Sequence, residues 1–321
     1  MKKLKVGVVG VGYLGNFHAQ KYAAMDNVDL VGVVDTDKGR AEEIANQLGT
    51  RAFENHQALF GLVDAVSVVV PTQDHYLVSR DFLERDVDVL IEKPITSTID
   101  EADRLIKCAE SRGLIIQVGH LERFNSAVMA LEGIVNGPRF IESHRLSIFK
   151  PRGLDVSVVL DLMIHDIDII LNFVKSGIKH IHAAGIPVIT DEVDIANARL
   201  EFKNGCVANV TASRVSIKNE RKLRMFQRDA YISVDFANHD ITVIQKEGKV
   251  STRGDDLIPG MNVKQLCFTK GDALDDEIKA FVNSVTRRMA PEVTGRVGRR
   301  ALEIALSIMD QINTTNRRLV R

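Results

Sequence analysis

The chain has 321 residues, of which 45% are hydrophobic and 26% charged, and its net charge at neutral pH is −1. This length suits two domains with separate cores, and the composition is typical of a soluble globular protein. The balanced charge excludes a global field that would recruit nucleic acid or an acidic membrane surface. Three widely spaced cysteines without a CxxC pair predict neither disulfides nor a zinc site, and favour a reducing, cytoplasmic location.

The N-terminus enters a strand-like run that glycines interrupt, which argues against a signal peptide. No apolar run approaches the roughly 20 residues of a membrane span. We therefore expect a protein with no membrane partner.

The first 120 residues alternate short apolar runs with amphipathic stretches. Each run is nearly continuous in Val, Ile and Leu, as expected for parallel strands covered on both faces. The predicted strands are 5–9, 30–35, 65–70, 88–92 and 114–118, and the predicted helices are 14–25, 38–48, 74–85 and 98–111. Repeated β-α-β units predict an α/β fold with a doubly wound parallel sheet, a Rossmann domain over residues 1–120.

After residue 120 the pattern changes, and we assign 121–321 to a second domain. Successive strands from about 179 to 250 without intervening helices indicate an antiparallel or mixed sheet. The other predicted elements are helices at 126–135, 157–175, 274–285 and 297–316 and a strand at 140–149.

A glycine-rich loop follows the first predicted strand and opens a helix. Gly10 permits the tight turn, Gly12 lets the backbone approach a pyrophosphate, and Gly15 lets helix and strand pack closely. Tyr13 and Leu14 share this loop and are expected to contact the same ligand. A glycine-rich turn without a ligand is the alternative, which the spacing disfavours.

Asp35 ends the second strand, 20 residues after Gly15. A carboxylate at this position binds the adenine-ribose hydroxyls and repels a 2′-phosphate. The expected cofactor is therefore NAD, and the nearby Arg40 leaves NADP open.

Two further groups lie at the carboxyl ends of strands, where open α/β sheets bind ligands. The group after the third strand contains Pro71, Thr72 and His75, with an ordinary βα loop as the alternative. Glu92, Lys93 and Pro94 end the fourth strand, and the acid and the proline fix the position of the lysine. We expect these residues to contact the cofactor, and a cis bond before Pro94 would aim Lys93.

The apolar helix predicted at 157–175 carries one polar line. At about 100° per residue, five polar residues fall on one face: Ser157, Asp161, His165, Asp168 and Asn172. Because a helix that is apolar almost all round is buried, this line must face an internal network or a cavity.

We interpret this polar line as acid–base machinery. His165 can accept the proton of a substrate hydroxyl, since an imidazole titrates near neutral pH. Asp161 can orient the hydroxyl or the imidazolium, and Asp168 either contacts the substrate or pairs structurally. The Asp-x-x-x-His spacing also permits a metal site, which we do not expect because a lysine is available.

Candidate substrate contacts flank the predicted domain junction. Arg123 and Asn125 follow the last Rossmann strand, and clefts between domains are where ligands usually bind. Further candidates are Arg145, Lys150 and Arg152, since the planar fork of arginine suits a diphosphate; solvated charge along a strand edge is the alternative. The basic segment 221–228 alternates with apolar residues and has no interleaved aromatics, so we interpret it as a sheet face or subunit contact.

Together these motifs resemble the glucose–fructose oxidoreductase / inositol dehydrogenase / MocA family over essentially the whole chain. The resemblance rests on Gly10-x-Gly12-x-x-Gly15, Pro71-Thr72-x-x-His75, Glu92-Lys93-Pro94 and Asp161-x-x-x-His165. It implies a Rossmann domain followed by an α/β domain whose large, open, mostly antiparallel sheet mediates homodimers or homotetramers. It also implies that Lys93, Asp161 and His165 match the catalytic lysine, aspartate and histidine of the family.

Residues 155–168 look like the branch associated with bacterial lipid A synthesis, whose members oxidise the 3-hydroxyl of UDP-N-acetylglucosamine. We therefore expect an NAD(P)-dependent dehydrogenase that acts on a sugar or nucleotide sugar. Two alternatives are a dehydrogenase of a free polyol or sugar, such as inositol or glucose, and a non-enzymatic NAD-binding sensor. The complete set of Lys93, Asp161 and His165 argues against the sensor.

Overall fold

The computed structural model describes residues 3–150, 156–238, 240–246, 261–267 and 271–319. The chain forms two compact units, of which the first runs to Phe124 and takes in Asp272–Leu302. The second unit begins at Asn125 and resumes at Glu303. The sequence placed all residues after 120 in the second domain. The first unit nevertheless includes a late helix, because Ile278 and Phe281 pack into its core.

Helices account for much of both units. The α-helices in the described part of the chain are α1 (Tyr13–Ala23), α2 (Lys38–Leu48), α3 (Thr72–Leu83), α4 (Ile99–Arg112), α5 (Ser126–Ala130), α6 (Ile164–Phe173), α7 (Ala273–Arg287) and α8 (Gly295–Leu319). Among the described residues, no helix combines the length and the apolar character that crossing a membrane requires.

The first unit is built on a parallel sheet. Its strands are β1 (Leu4–Val9), β2 (Val28–Val34), β3 (Arg51–Phe53), β4 (Ala65–Val68), β5 (Asp88–Glu92) and β6 (Ile116–Gly119). Their order is β3-β2-β1-β4-β5-β6, so the direction of winding reverses between β1 and β4. At such a reversal an open α/β sheet binds its ligand, outside the carboxyl ends of the strands.

Local sequence explains where the elements of this unit begin and end. The hydroxyl of Thr98 accepts from the backbone N–H of Glu101, and the Glu101 carboxylate accepts from the N–H of Thr98. This capping box starts α4, and Gly113 ends it in the left-handed conformation. The strand β3 was not predicted, because three residues that are not fully buried give no apolar run.

The second unit is built on an eight-stranded sheet. Its strands are β7 (Phe140–Ile148), β8 (Ile178–Ile186), β9 (Ile195–Phe202), β10 (Val207–Ser216), β11 (Glu220–Phe226), β12 (Ala230–Asp235), β13 (Asp240–Lys246) and β14 (Met261–Cys267). Their order is β14-β13-β12-β11-β7-β10-β9-β8, with β7 and β10 parallel and the other neighbours antiparallel. The predicted α/β fold with a mostly antiparallel second sheet is confirmed. The apolar helix α6 packs on β7 and β10.

Candidate active site

The glycine loop between β1 and α1 is shaped by close backbone contacts. Gly10 has φ = 86°, and a Cβ on it would lie 2.5 Å from the carbonyl oxygen of Val69. A Cβ on Gly15 would lie 1.8 Å from the carbonyl oxygen of Gly10. For Gly12, by contrast, no atom of the described residues lies within 4 Å of the Cβ position. Gly10 and Gly15 are therefore required by the fold. Gly12 instead leaves open space at the start of α1, which fits a pyrophosphate.

A cavity of about 740 Å³ adjoins this loop and is lined in part by Gly10, Gly12, Asp35, Arg40 and Pro71. Asp35, 7% exposed, accepts from the backbone N–H of Val11 at 3.0 Å and of Asp37 at 2.9 Å. A carboxylate offers about four acceptor positions, so Asp35 retains capacity for ribose hydroxyls.

Arg40 is engaged by carboxylates. Its Nη1 lies 3.4 Å from both oxygens of Asp35, and its Nη2 lies 3.3 Å from Asp37. A 2′-phosphate at this place would meet the negative charge of Asp35, so the geometry favours NAD over NADP.

The predicted contacts after β4 occupy different environments. Pro71 lines the cavity and precedes α3, which begins at Thr72. His75 is buried, with Nδ1 2.8 Å from the carbonyl oxygen of Pro94 and Nε2 2.9 Å from that of Val70. Burial lowers the pKa of His75, and a neutral imidazole has a single N–H to donate. His75 thus donates to only one of these two carbonyl oxygens. Its contact with the cofactor remains a prediction.

The end of β5 is fixed by a buried carboxylate. Glu92 Oε1 accepts from His18 Nε2 at 3.1 Å, and Oε2 accepts from the backbone N–H of Lys93 at 3.3 Å. Burial alone would raise the pKa of Glu92, but the hydrogen bond from His18 and the charge of Lys93 outweigh it and lower the pKa. The Lys93–Pro94 bond, for which the sequence analysis considered a cis form, is cis. Lys93 itself is half-buried, as is Leu14, whereas Tyr13 is exposed.

In the second unit, the predicted polar helix is not a uniform α-helix. Val159–Met163 forms a π-helical turn that leads into α6. Because its hydrogen bonds span five residues, a count at 100° per residue fails across it. Asp161 and His165 are half-buried, and Asp168 is buried. Turns of this kind occur frequently at functional sites.

A cavity of about 550 Å³ adjoins the π-helical turn. Its described lining includes one carboxylate and four cationic side chains, namely Asp161, Arg145, Lys150, Arg214 and Arg221. We call it the cationic cavity. An anionic ligand with polar substituents suits this lining, since the cations attract its charge and Asp161 can accept from a hydroxyl.

Two of these arginines are held by buried carboxylates. Arg145, 3% exposed, donates from Nε and Nη2 to the two oxygens of Asp166 at 2.7 and 3.2 Å. Arg214 Nε lies 3.8 Å from Asp194, and its Nη2 donates to the carbonyl of Val156. Both guanidinium groups are thereby oriented rigidly.

Sequence reasoning missed part of this site. Asp166 was not among the candidates, because it lies off the predicted polar line, although it holds Arg145. Arg221 was interpreted as a sheet face or subunit contact, but it lines the cationic cavity. Alternation along β11 was the available signal, because Arg221 shares its face with the buried Leu223 and Met225.

Two of the remaining substrate candidates, Arg123 and Asn125, have structural contacts. Arg123 is buried and lies 3.8 Å from Glu292. Asn125 caps α5, where its side chain accepts from the N–H of Ala127 at 3.0 Å. Arg152 lies outside the described residues.

A doubly wound sheet with an open glycine loop and an acid at the end of β2 defines a dinucleotide-binding protein. Residues 4–120 match the family model of the GFO/IDH/MocA oxidoreductases, described as an NAD-binding Rossmann fold, and residues 128–233 match the GFO/IDH/MocA C-terminal domain. The chain belongs to the GFO/IDH/MocA oxidoreductase family. The predicted family, dehydrogenase class and NAD cofactor are confirmed.

Curated relatives and solved structures agree with this assignment. The chain is 41% identical to the UDP-N-acetylglucosamine 3-dehydrogenase of Acidithiobacillus ferrooxidans, covering 96% of this chain and 97% of that one. A solved structure of the Acidithiobacillus ferrooxidans enzyme superposes with a TM-score of 0.91 at 40% identity, covering 98% of this chain and 99% of that one. The myo-inositol 2-dehydrogenase of Thermotoga maritima is 25% identical, covering 93% of each chain.

Proposed function

We propose that this protein oxidises the 3-hydroxyl of UDP-N-acetylglucosamine to the ketone with NAD. The observation that carries the proposal is the cationic cavity, where exposed Lys150 and Arg221 accompany Asp161. A nucleotide diphosphate needs cations, and a sugar hydroxyl needs an acceptor. The 41% identical relative named for this substrate supports the same choice.

When bound, NAD supplies the acceptor for the hydride that leaves the sugar carbon. His165 accepts the hydroxyl proton, Asp161 orients the hydroxyl or the imidazolium, and Lys93 stabilises the developing alkoxide. General acid–base help of this kind contributes about 10²–10⁴-fold. A fixed positive charge contributes on a similar scale.

Further residues are proposed as substrate contacts. Lys150 and Arg221 are the candidates for binding the diphosphate. Arg145 is a further candidate, because its pairing with Asp166 fixes the orientation of its guanidinium group. Arg123, Asn125, Arg152 and Asp168 remain predicted contacts.

The test is a comparison of NAD reduction with UDP-N-acetylglucosamine, myo-inositol and glucose. We expect turnover with the nucleotide sugar, and Arg221→Gln should raise its KM about tenfold, or ~1.4 kcal/mol. Arg224→Gln is the matched control, since Arg224 lies on the opposite face of β11 and pairs with Glu142 at 2.9 Å. Efficient turnover of the free polyols with none of the nucleotide sugar would refute the proposal.

We further propose a cytoplasmic homodimer or homotetramer that serves bacterial lipid A synthesis. The family resemblance of the second-unit sheet supports the oligomer, and the proposed substrate supports the pathway. Light scattering on the purified protein tests the oligomer, with a monomer as the contradicting result.

A further inference from the structure

A cluster of buried polar side chains lies inside the first unit. His18 on α1 places Nδ1 3.2 Å from Ser67 Oγ and Nε2 3.1 Å from Glu92. The hydroxyl of Tyr22 lies 2.8 Å from the same serine oxygen. Glu277 on α7 completes the cluster. One side-chain nitrogen or oxygen atom from each of His18, Glu92 and Glu277 lies within 4.8 Å of the other two.

Glu277 differs from the other members. Its side chain is 0% exposed, and among the described residues neither carboxylate oxygen has a hydrogen-bond partner. The backbone there is fixed, because the carbonyl of Glu277 accepts from Gln117 Nε2 at 3.1 Å. An ionised carboxylate in such a place would be uncompensated, and Glu92 nearby carries the same charge.

We propose that Glu277 is a positioning residue, held as a neutral carboxylic acid so that Glu92 is the single carboxylate anion of this cluster. Glu92 is the better site for the charge, since His18 and the N–H of Lys93 both donate to it. Burial and then the charge of Glu92 raise the pKa of Glu277 well above its ordinary value. The neutral acid preserves the bonds that fix the end of β5.

Titratable groups around Glu277 include His18 and Tyr22 from α1 and Glu92 from β5. The helix α7 also packs on the short turn Leu121–Phe124, whose buried Arg123 lies 3.8 Å from Glu292. Burial raises the pKa of Tyr22, so its phenol stays neutral. Ser67 and Gln117 add polar groups without charge. If Glu277 ionised, two negatively charged carboxylates would lie beside one imidazole. Repulsion between the two carboxylates would loosen the positions of Glu92 and Lys93.

The sign of the pH effect follows. A carboxyl whose pKa is raised by folding binds its proton more tightly in the native state, so stability falls as pH rises from the ordinary value through the raised one. Glu277→Gln keeps the shape and cannot ionise. In thermal unfolding of the apoprotein, the folding equilibrium of the wild type should fall relative to this variant by up to about tenfold per pH unit in that interval.

Asp276→Asn is the matched control, because it makes the same chemical change at an exposed neighbour on α7. It should show no such divergence. The infrared carbonyl band of a protonated carboxyl, present in the wild type at neutral pH and absent from Glu277→Gln, is the second readout. In turnover, Glu277→Gln should shift the alkaline limb of kcat to higher pH; this link alone rests on the proposed role of Lys93.

Three outcomes would overturn the proposal. One is a loss of stability in Glu277→Gln that does not vary with pH. Another is a wild-type Tm that falls with EDTA and recovers with Zn²⁺ while the variant does not respond, which would make the cluster a cation site. If Glu277→Gln does not fold, Glu92→Gln should reduce the alkaline loss of stability, because it removes the second cause of the raised pKa. A loss as steep as in the wild type is the third outcome. The stability and infrared readouts use no sugar, so they remain interpretable if the proposed substrate is wrong.

Discussion

The two cavities differ in how far backbone and how far side chains shape them. The one in the first unit depends on backbone at its glycine loop: Gly10 and Gly12 line it, and amide N–H groups hold Asp35. The cationic cavity of the second unit is formed by long side chains that buried carboxylates orient. A backbone-built site restricts a few neighbouring positions to glycine. A side-chain-built site depends instead on partners far apart in sequence.

The largest effect is expected from removing one charged side chain, that of Lys93, from the first unit. Lys93→Met should lower kcat about 10²–10⁴-fold, because the charge that stabilises the alkoxide is lost. Binding of NAD, measured by fluorescence titration, should be little changed. Lys107→Met, at an exposed position on α4, is the control. Turnover near the wild-type rate would remove Lys93 from the mechanism.

The second unit should prove sensitive at a carboxylate that supports the cationic cavity. Asp194 Oδ2 accepts from the N–H groups of Val188, Ile189 and Thr190 at 2.8, 2.7 and 2.9 Å. Burial would raise the pKa of Asp194, but these bonds outweigh it and lower the pKa to about 2. Asp194→Asn should therefore cost about 2 kcal/mol of unfolding free energy at neutral pH.

The pH dependence of this contribution has a definite direction. A depressed pKa stabilises the fold above the ordinary value and loses that effect as pH falls toward about 2. Urea unfolding between pH 7 and pH 2 should show the wild type and Asp194→Asn converging at the acid end. Asp191→Asn changes an exposed acid of the same loop and should behave as wild type. Parallel curves would contradict the assignment.

Within the glycine loop, substitutions at Gly12 and at Gly15 should affect different properties, namely cofactor affinity and fold stability. Gly12→Val should raise the Kd for NAD at least about tenfold, or ~1.4 kcal/mol, since its side chain would fill space meant for the pyrophosphate. Its Tm should match the wild type, because no described atom lies within 4 Å of the Cβ position. Gly15→Ala should instead destabilise the fold. Unchanged NAD affinity in Gly12→Val would show that the open space is not the cofactor site.

The smallest expected effect concerns the choice of cofactor. Asp35→Ser removes the charge that repels a 2′-phosphate and one of the two carboxylates that hold Arg40, so the ratio of NADP to NAD affinity should rise by about tenfold or less. Asp37→Ser is the control, since serine also caps α2. Steady-state kinetics with both cofactors measure the ratio, and an unaltered ratio would mean that Asp35 does not discriminate.

The sequence predicted most of the first unit because its signals are local. Apolar runs gave β5 to the residue, and a doubly wound sheet followed from their alternation with helices. The assignment of α7 to the second domain differed from the structure, since contacts of Phe281 with a core that runs from Val6 to Ile115 leave no local pattern. The π-helical turn at Val159–Met163 was also beyond reach, because periodicity assumes a regular helix.

The candidate site followed the same division. The glycines and Asp35 were found by spacing, whereas the partnership of Arg145 with Asp166 depends on how β7 meets α6. His18 was missed because a lone histidine on a helix gives no hint of its bond to Glu92. Pairings of this kind exist only after the chain has folded.

The buried pair of Arg145 and Asp166 has a consequence for the descent of this protein. Losing either partner alone strands a buried charge, at a cost of about 3–5 kcal/mol. That is a large part of the stability of an ordinary domain. Lineages should therefore change positions 145 and 166 together or not at all, so the two columns should covary among homologous sequences. The part of the cavity wall held by this pair should therefore change slowly in evolution. New substrate preferences should arise first through substitutions at the exposed residues around it.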